Sequence, residues 1–152
     1  MIRSAGLLAM LLLGGCGLLQ VEERAIPSAP GAVEATAWES QPATLPGLME
    51  SAPPETDAGQ YLDRVVEAAM AASDPGGEVR HGLLGQDGSA ASGYIQILGP
   101  SSDPQIAAYE ARLILSRDGG GGWTLVGVDV RTQCREPLVA GECRPQLDNS
   151  GG

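Results

Sequence analysis

Two cysteines near the carboxyl end, Cys134 and Cys143, are the residues whose type and spacing come closest to chemistry. A dithiol redox pair would carry its thiols two residues apart at a helix start, and neither feature is present. A zinc site would need at least one further ligand, and His81 is the sole histidine. Pro137 and Gly141 let the enclosed loop reverse, so in an exported chain the pair is expected to form a structural disulfide. Closing so short a loop contributes about 2 to 3 kcal/mol in the chain-entropy picture.

His81 would have to serve as base for any serine or cysteine nucleophile, and no Gly-x-Ser-x-Gly turn presents one. It reads as a partly exposed strand histidine. The run Gly119-Gly120-Gly121-Gly122 lacks a following Lys-Ser/Thr and leads into a strand, so no helix amino terminus faces a phosphate there. A flexible hairpin turn accounts for it. Of the carboxylates, Asp57, Asp63 and Glu67 fall on an exposed helix side and Asp87, Asp103 and Asp118 in turns, where they are solvated. Asp129 differs. Strict alternation places it on one strand face with Trp123 and Leu125, semi-buried near a sheet edge or pocket, with Arg131 as partner in a local ion pair or a binding site. The candidate binding residues are Trp38, Tyr109, Trp123, Asp129 and Arg131; no catalytic residue, metal ligand or cofactor is assigned.

The amino end reads Met1-Ile2-Arg3, then an apolar stretch to Leu13, then Gly14-Gly15-Cys16, which is the order of an export signal. The apolar run reaches about half of the roughly 20 residues that a membrane-crossing helix requires. Leu13-Gly14-Gly15-Cys16 resembles the lipobox of bacterial lipoproteins. That resemblance implies a diacylglyceryl group on the Cys16 thiol, cleavage just before it, removal of residues 1–15, and attachment to a membrane through the lipid. Two or three acyl chains hold where one is marginal, because each buried methylene contributes roughly 0.8 kcal/mol. The implied location is the extracytoplasmic side of the cell membrane or the outer membrane; Gly17, where an aspartate would favour inner-membrane retention in some bacteria, points to the outer one if it exists.

The chain carries a formal net charge of −10 and no lysine, its nine basic residues all being arginine. Loss of residues 1–15 would remove Arg3 and no acid, leaving the body more negative still. With neither a basic stripe nor an aromatic stacking platform, nucleic acid is excluded as a partner. An envelope protein partner is compatible.

Residues 16–55 are rich in Pro, Ala, Ser, Thr and Glu, with prolines at 27, 30, 42, 46, 53 and 54, and read as a disordered, semi-stiff tether. Trp38, Leu45, Leu48 and Met49 are unusual in a spacer: they are either a docking motif for a partner or the domain's own surface, or occasional apolar residues in a disordered stretch. The folded domain is expected over residues 56–143, with a disordered tail at 144–152. Thr56 and Asp57 offer a helix cap, Leu62, Val65, Val66, Ala69 and Met70 recur on one helical face, and Asp74-Pro75-Gly76-Gly77 stops the helix. Strands are expected at 78–84, 92–98, 107–117 and 123–130. In the third, Tyr109, Ala111, Leu113 and Leu115 share one face and Glu110, Arg112, Ile114 and Ser116 the half-exposed other; a helix from Gln105 is the alternative there. The expected fold is α+β, one helix packed on a four-stranded antiparallel meander, preceded by a disordered tether.

The helix and the segment from Tyr109 to Val130 resemble the cystatin-like and nuclear-transport-factor-like accessory domains of bacterial envelope proteins, on element order and the Trp-containing last strand. The resemblance implies no active site, since such folds host binding modules and enzymes alike. The expected function is a non-enzymatic, lipid-anchored binding or accessory module. The alternative is a small hydrolase or isomerase with a nuclear-transport-factor-like pocket, which requires Asp129, His81 or Tyr109 to converge on one apolar cavity. A third reading, a cell-wall enzyme inhibitor, rests on Ser92-Gly93-Tyr94, which resembles a triplet of lipoprotein lysozyme inhibitors but lacks its accompanying lysine.

Overall fold

A computed structural model describes residues 24–43, 57–72, 74–100, 103–117, 119 and 121–143. The expected signal peptide, Cys16, the apolar residues Leu45, Leu48 and Met49, and the tail from 144 lie outside the described residues. Among the described residues the arrangement is α+β: one helix and an antiparallel sheet of six strands. In chain order the elements are β1 (Glu34–Ala35), β2 (Glu39–Gln41), α1 (Ala58–Ala72), β3 (Glu78–Asp87), β4 (Ala90–Leu98), β5 (Ile106–Arg117) and β6 (Trp123–Cys134).

The sheet runs β1-β6-β5-β4-β3, with β2 also pairing β6. It is therefore wider than the four strands expected, because residues 24–43 are not a disordered tether: they supply β1 and β2, which extend the β6 edge. Glu34 and Ala35 stand opposite Cys134 and Gln133, and Glu39 to Gln41 opposite Val130 to Val128. Between them Thr36 bonds the Thr132 backbone, so Ala37 and Trp38 face the single residue Arg131 as a bulge. Proline did not prevent this, because Pro27, Pro30 and Pro42 all lie outside the two short strands.

Helix α1 starts on a reciprocal cap: the Gln60 amide donates to Asp57 Oδ1 at 2.8 Å, and the Asp57 amide to Gln60 Oε1 at 3.4 Å. Its apolar face buries Ala58, Tyr61, Leu62, Val65 and Val66 against β3 and β4. The close approach depends on Gly93, where an added Cβ would lie 2.9 Å from the Leu62 side chain. The core continues through Ile95, Leu113, Leu115, Trp123 and Leu125.

Residues 106–117 are strand, not helix. Cys134 and Cys143 are joined by a disulfide with Cα atoms 5.4 Å apart. The loop reverses through Ala140 and Gly141, both at positive φ (53° and 83°), between the bridged residues Val139 and Glu142. Glu34 Oε2 accepts the Leu138 amide at 2.6 Å and fastens that loop to β1. Because Asp57 satisfies an otherwise orphan amide of the helix, Asp57→Ala is expected to lower stability by about 1 kcal/mol, read as a lower urea midpoint with an unchanged denaturant slope.

Candidate functional site

The two faces of the sheet are finished in different ways. On the back face, Gln96 of β4, Glu110 of β5, and Arg131 and Gln133 of β6 form a polar row. The Glu110 side chain is fully buried. It accepts from Gln96 Nε2 at 2.7 Å, from Gln133 Nε2, and from Arg131 Nε. Gln96 Nε2 also donates to the Pro27 carbonyl at 2.8 Å, and Gln133 Oε1 accepts the Ala29 amide at 2.8 Å. The amino-terminal segment is thus a strap over this face, beginning where the Arg24 amide meets the Leu84 carbonyl of β3 at 2.9 Å. The alternation expected of a half-exposed strand puts Glu110 on the face opposite Tyr109, but Glu110 is buried because the strap covers it.

Trp38, in the edge bulge, lies against Arg131 at 4.4 Å and Arg112 at 5.2 Å from its ring centroid. Its docking surface is its own domain. Arg112 Nη2 donates to Asp129 Oδ2 at 2.7 Å and the Ser40 hydroxyl to Oδ1 at 2.7 Å. These two hydrogen bonds, the Arg112 one above all, hold the Asp129 carboxyl below its ordinary range. Asp129 therefore pairs with Arg112 rather than Arg131, which is engaged by Glu110. Nor does Asp129 share a face with Trp123 and Leu125. The pairing shifts between Ile114/Gly127 and Leu115/Leu125, so Val126 is an extra residue that inverts the alternation beyond it. Beside this bulge the Leu125 amide donates to the Tyr61 hydroxyl at 3.0 Å, tying α1 to β6.

On the front face, α1 covers the β3 and β4 side. What is left is an open apolar groove of about 660 Å³. Ala69, Met70 and Ala72 form one wall; Ile95, Ile97, Tyr109, Ala111, Leu113, Val128 and Val130 form the floor; Thr36, Glu39, Pro42, Gly141 and Glu142 contribute to the lining from the β1–β2 side and the disulfide loop. Tyr109 is 39 % exposed here. The periodicity that placed Ala69 and Met70 on the apolar helical face holds; both are half-buried and line the groove, with Met70 also packed against the core.

The sequence-derived candidates are thus divided. Tyr109 faces the groove, whereas Asp129 and Trp38 sit with Arg112 on the back face. Trp123, 1 % exposed in the core, is beyond a ligand's reach. His81 Nε2 bonds Asp63 Oδ1 of α1 at 2.9 Å, at the β3 edge and away from the groove. Ser92 and Gly93 are buried mid-strand, so their triplet projects no inhibitory loop. Among the described residues, no group of three or more His, Cys, Asp or Glu could hold a metal ion, and no helix is long and apolar enough to cross a membrane. No family model, curated protein or solved structure matches this chain.

Two outcomes are expected from the back face. Glu110→Ala leaves Gln96, Gln133 and Arg131 facing a buried void and should cost about 3 to 5 kcal/mol, with loss of hydrogen-exchange protection at the Ala29 amide. For Asp129, a lowered folded pKa gives stability that is complete above the unfolded value of about 3.9 and is lost as pH falls through the folded one. Asp129→Asn should therefore melt below the parent at neutral pH, and the gap should close under acid conditions below the usual carboxylate range.

Proposed function

We propose that this chain is a lipid-anchored envelope protein, attached through Cys16 on the extracytoplasmic side of the cell membrane or outer membrane, whose domain is a non-enzymatic binding module. In this reading α1 with β3–β6, a helix over a four-stranded antiparallel meander of the cystatin-like or nuclear-transport-factor-like kind, is the binding unit. The β1–β2 segment completes its edge. What supports the anchor is the lipobox-like Leu13-Gly14-Gly15-Cys16 at the end of a short apolar run.

What supports binding is the groove. An apolar floor left open beside a helix that could have covered it is the feature by which a small domain offers a ligand site. Its occupant is an apolar segment of an envelope protein, flanked by basic residues. The exposed rim carboxylates Glu39 and Glu142 and the chain's net charge of −10 favour such flanks and disfavour acidic ones. The hydrolase or isomerase alternative loses its support, since Asp129, His81 and Tyr109 do not converge on the groove.

A photo-crosslinking residue at Tyr109 in intact cells should yield one dominant protein adduct. The same residue at Ile114, exposed on the opposite face, should yield none, and Val130→Asp should abolish the Tyr109 adduct. Equal adducts from both faces, or none from position 109, would refute the assignment.

A further inference from the structure

We infer that the β3–β4 turn is the membrane-proximal end of the domain, held close to the bilayer by a short leash, and that the groove is turned toward the aqueous side. The inference rests on the anchoring of Cys16 proposed above and adds its geometry. Composition alone would allow residues 16–55 to act as a free spacer. The strap removes most of that length. The chain is tied down at Arg24 to Leu84, again at Pro27 to Gln96, again at Ala29 to Gln133, and then along the β6 edge from Cys134 to Val128. Between Cys16 and Arg24 there are only eight residue steps, which fully extended span at most about 28 Å. Thirty-nine steps of free tether would have allowed about 130 Å.

The point of attachment sets which end of the domain is low. Leu84 lies three residues before the end of β3, beside the turn through Gly88 and Ser89 into β4. The β5–β6 connection is at the same end, where the Arg117 amide bonds the Ser89 carbonyl at 2.8 Å. Gln86, Asp87, Ser89 and Arg117 are exposed and polar there, which suits contact with hydrated headgroups.

The groove runs away from this end toward the disulfide loop. In register, Leu84 sits level with Leu113 and Ile114 of β5, so the groove's near end, Leu113 and Val128, is at this level two and three strands across, whereas Val130 is two to three residues and Tyr109 four to five residues further along. For Tyr109 that is a displacement of about 20 Å across the sheet. An occupant of the Tyr109 end therefore arrives from the extracytoplasmic solution.

The test uses the full, natively processed protein in vesicles containing a headgroup-linked quencher, with a fluorescent residue at Asp87 or at Val139, which is exposed in the distal disulfide loop. Quenching at position 87 should exceed that at 139 at least twofold, and inserting twenty Gly and Ser residues after Gly17 should make the two equal. Mass spectrometry of the same material separates the failures. Acylated Cys16 with equal quenching in the parent overturns the proximal-end assignment alone; an unmodified Cys16 overturns the anchoring beneath it and the assignment together.

Discussion

The buried carboxylate of Glu110 constrains this structure more than any other group. An acid taken out of water in mid-sheet is destabilising unless each oxygen finds a donor, and here Arg131, Gln96 and Gln133 supply them from the two flanking strands. Those glutamines bring requirements of their own. Gln96 has a second amide hydrogen and Gln133 a carbonyl oxygen, and the Pro27 carbonyl and Ala29 amide meet them. The amino-terminal strap is thus the answer to a polar row that no apolar cover could satisfy. The row in turn specifies where the strap must lie.

This arrangement has a consequence for the arginines. Arg112 and Arg131 stand side by side on the back face, each with a carboxylate partner, and Trp38 closes over both. A flat aromatic ring covers two guanidinium groups while leaving their ionic hydrogen bonds intact. The bulge at Ala37 and Trp38 is what aims the ring there. The edge strand is therefore bent for a reason that lies on the sheet's face, and the same residues protect the β6 edge from pairing with a second chain.

How far the sequence reveals this follows from range of interaction. The capped helix, the strand at 106–117 and the cysteine pair are local patterns, visible as a cap, an alternation and a reversible loop. The strap was not visible, because Pro and Ser composition argues for disorder and its partners are some seventy to a hundred residues away. A signal did exist in the strand residues Gln96, Glu110 and Gln133, since polar side chains at alternating positions are either solvated or covered, and sequence pattern does not distinguish the two. Asp129 failed for a different reason. One extra residue at Val126 reverses the facing of everything after it, and its trace in the sequence is slight: the adjacent Gly127, opposite Ile114.

The groove follows from topology as much as from side chains. A helix of fifteen residues is about 22 Å long and 10 Å wide, enough to cover two strands of a sheet that is about 24 Å across its five strand positions. From β3 onward the strands pair in sequence order, so their connections offer no second layer for the front face. Among the described residues, the one long segment outside the helix and the main strands runs behind the sheet, where Glu110 requires it. With the cover spent on the polar side, the apolar floor from Ile97 to Val130 remains open to solvent, and Gly93 keeps the helix pressed to β4 rather than centred over it. Satisfying a buried acid on one face therefore leaves the apolar floor bare on the other.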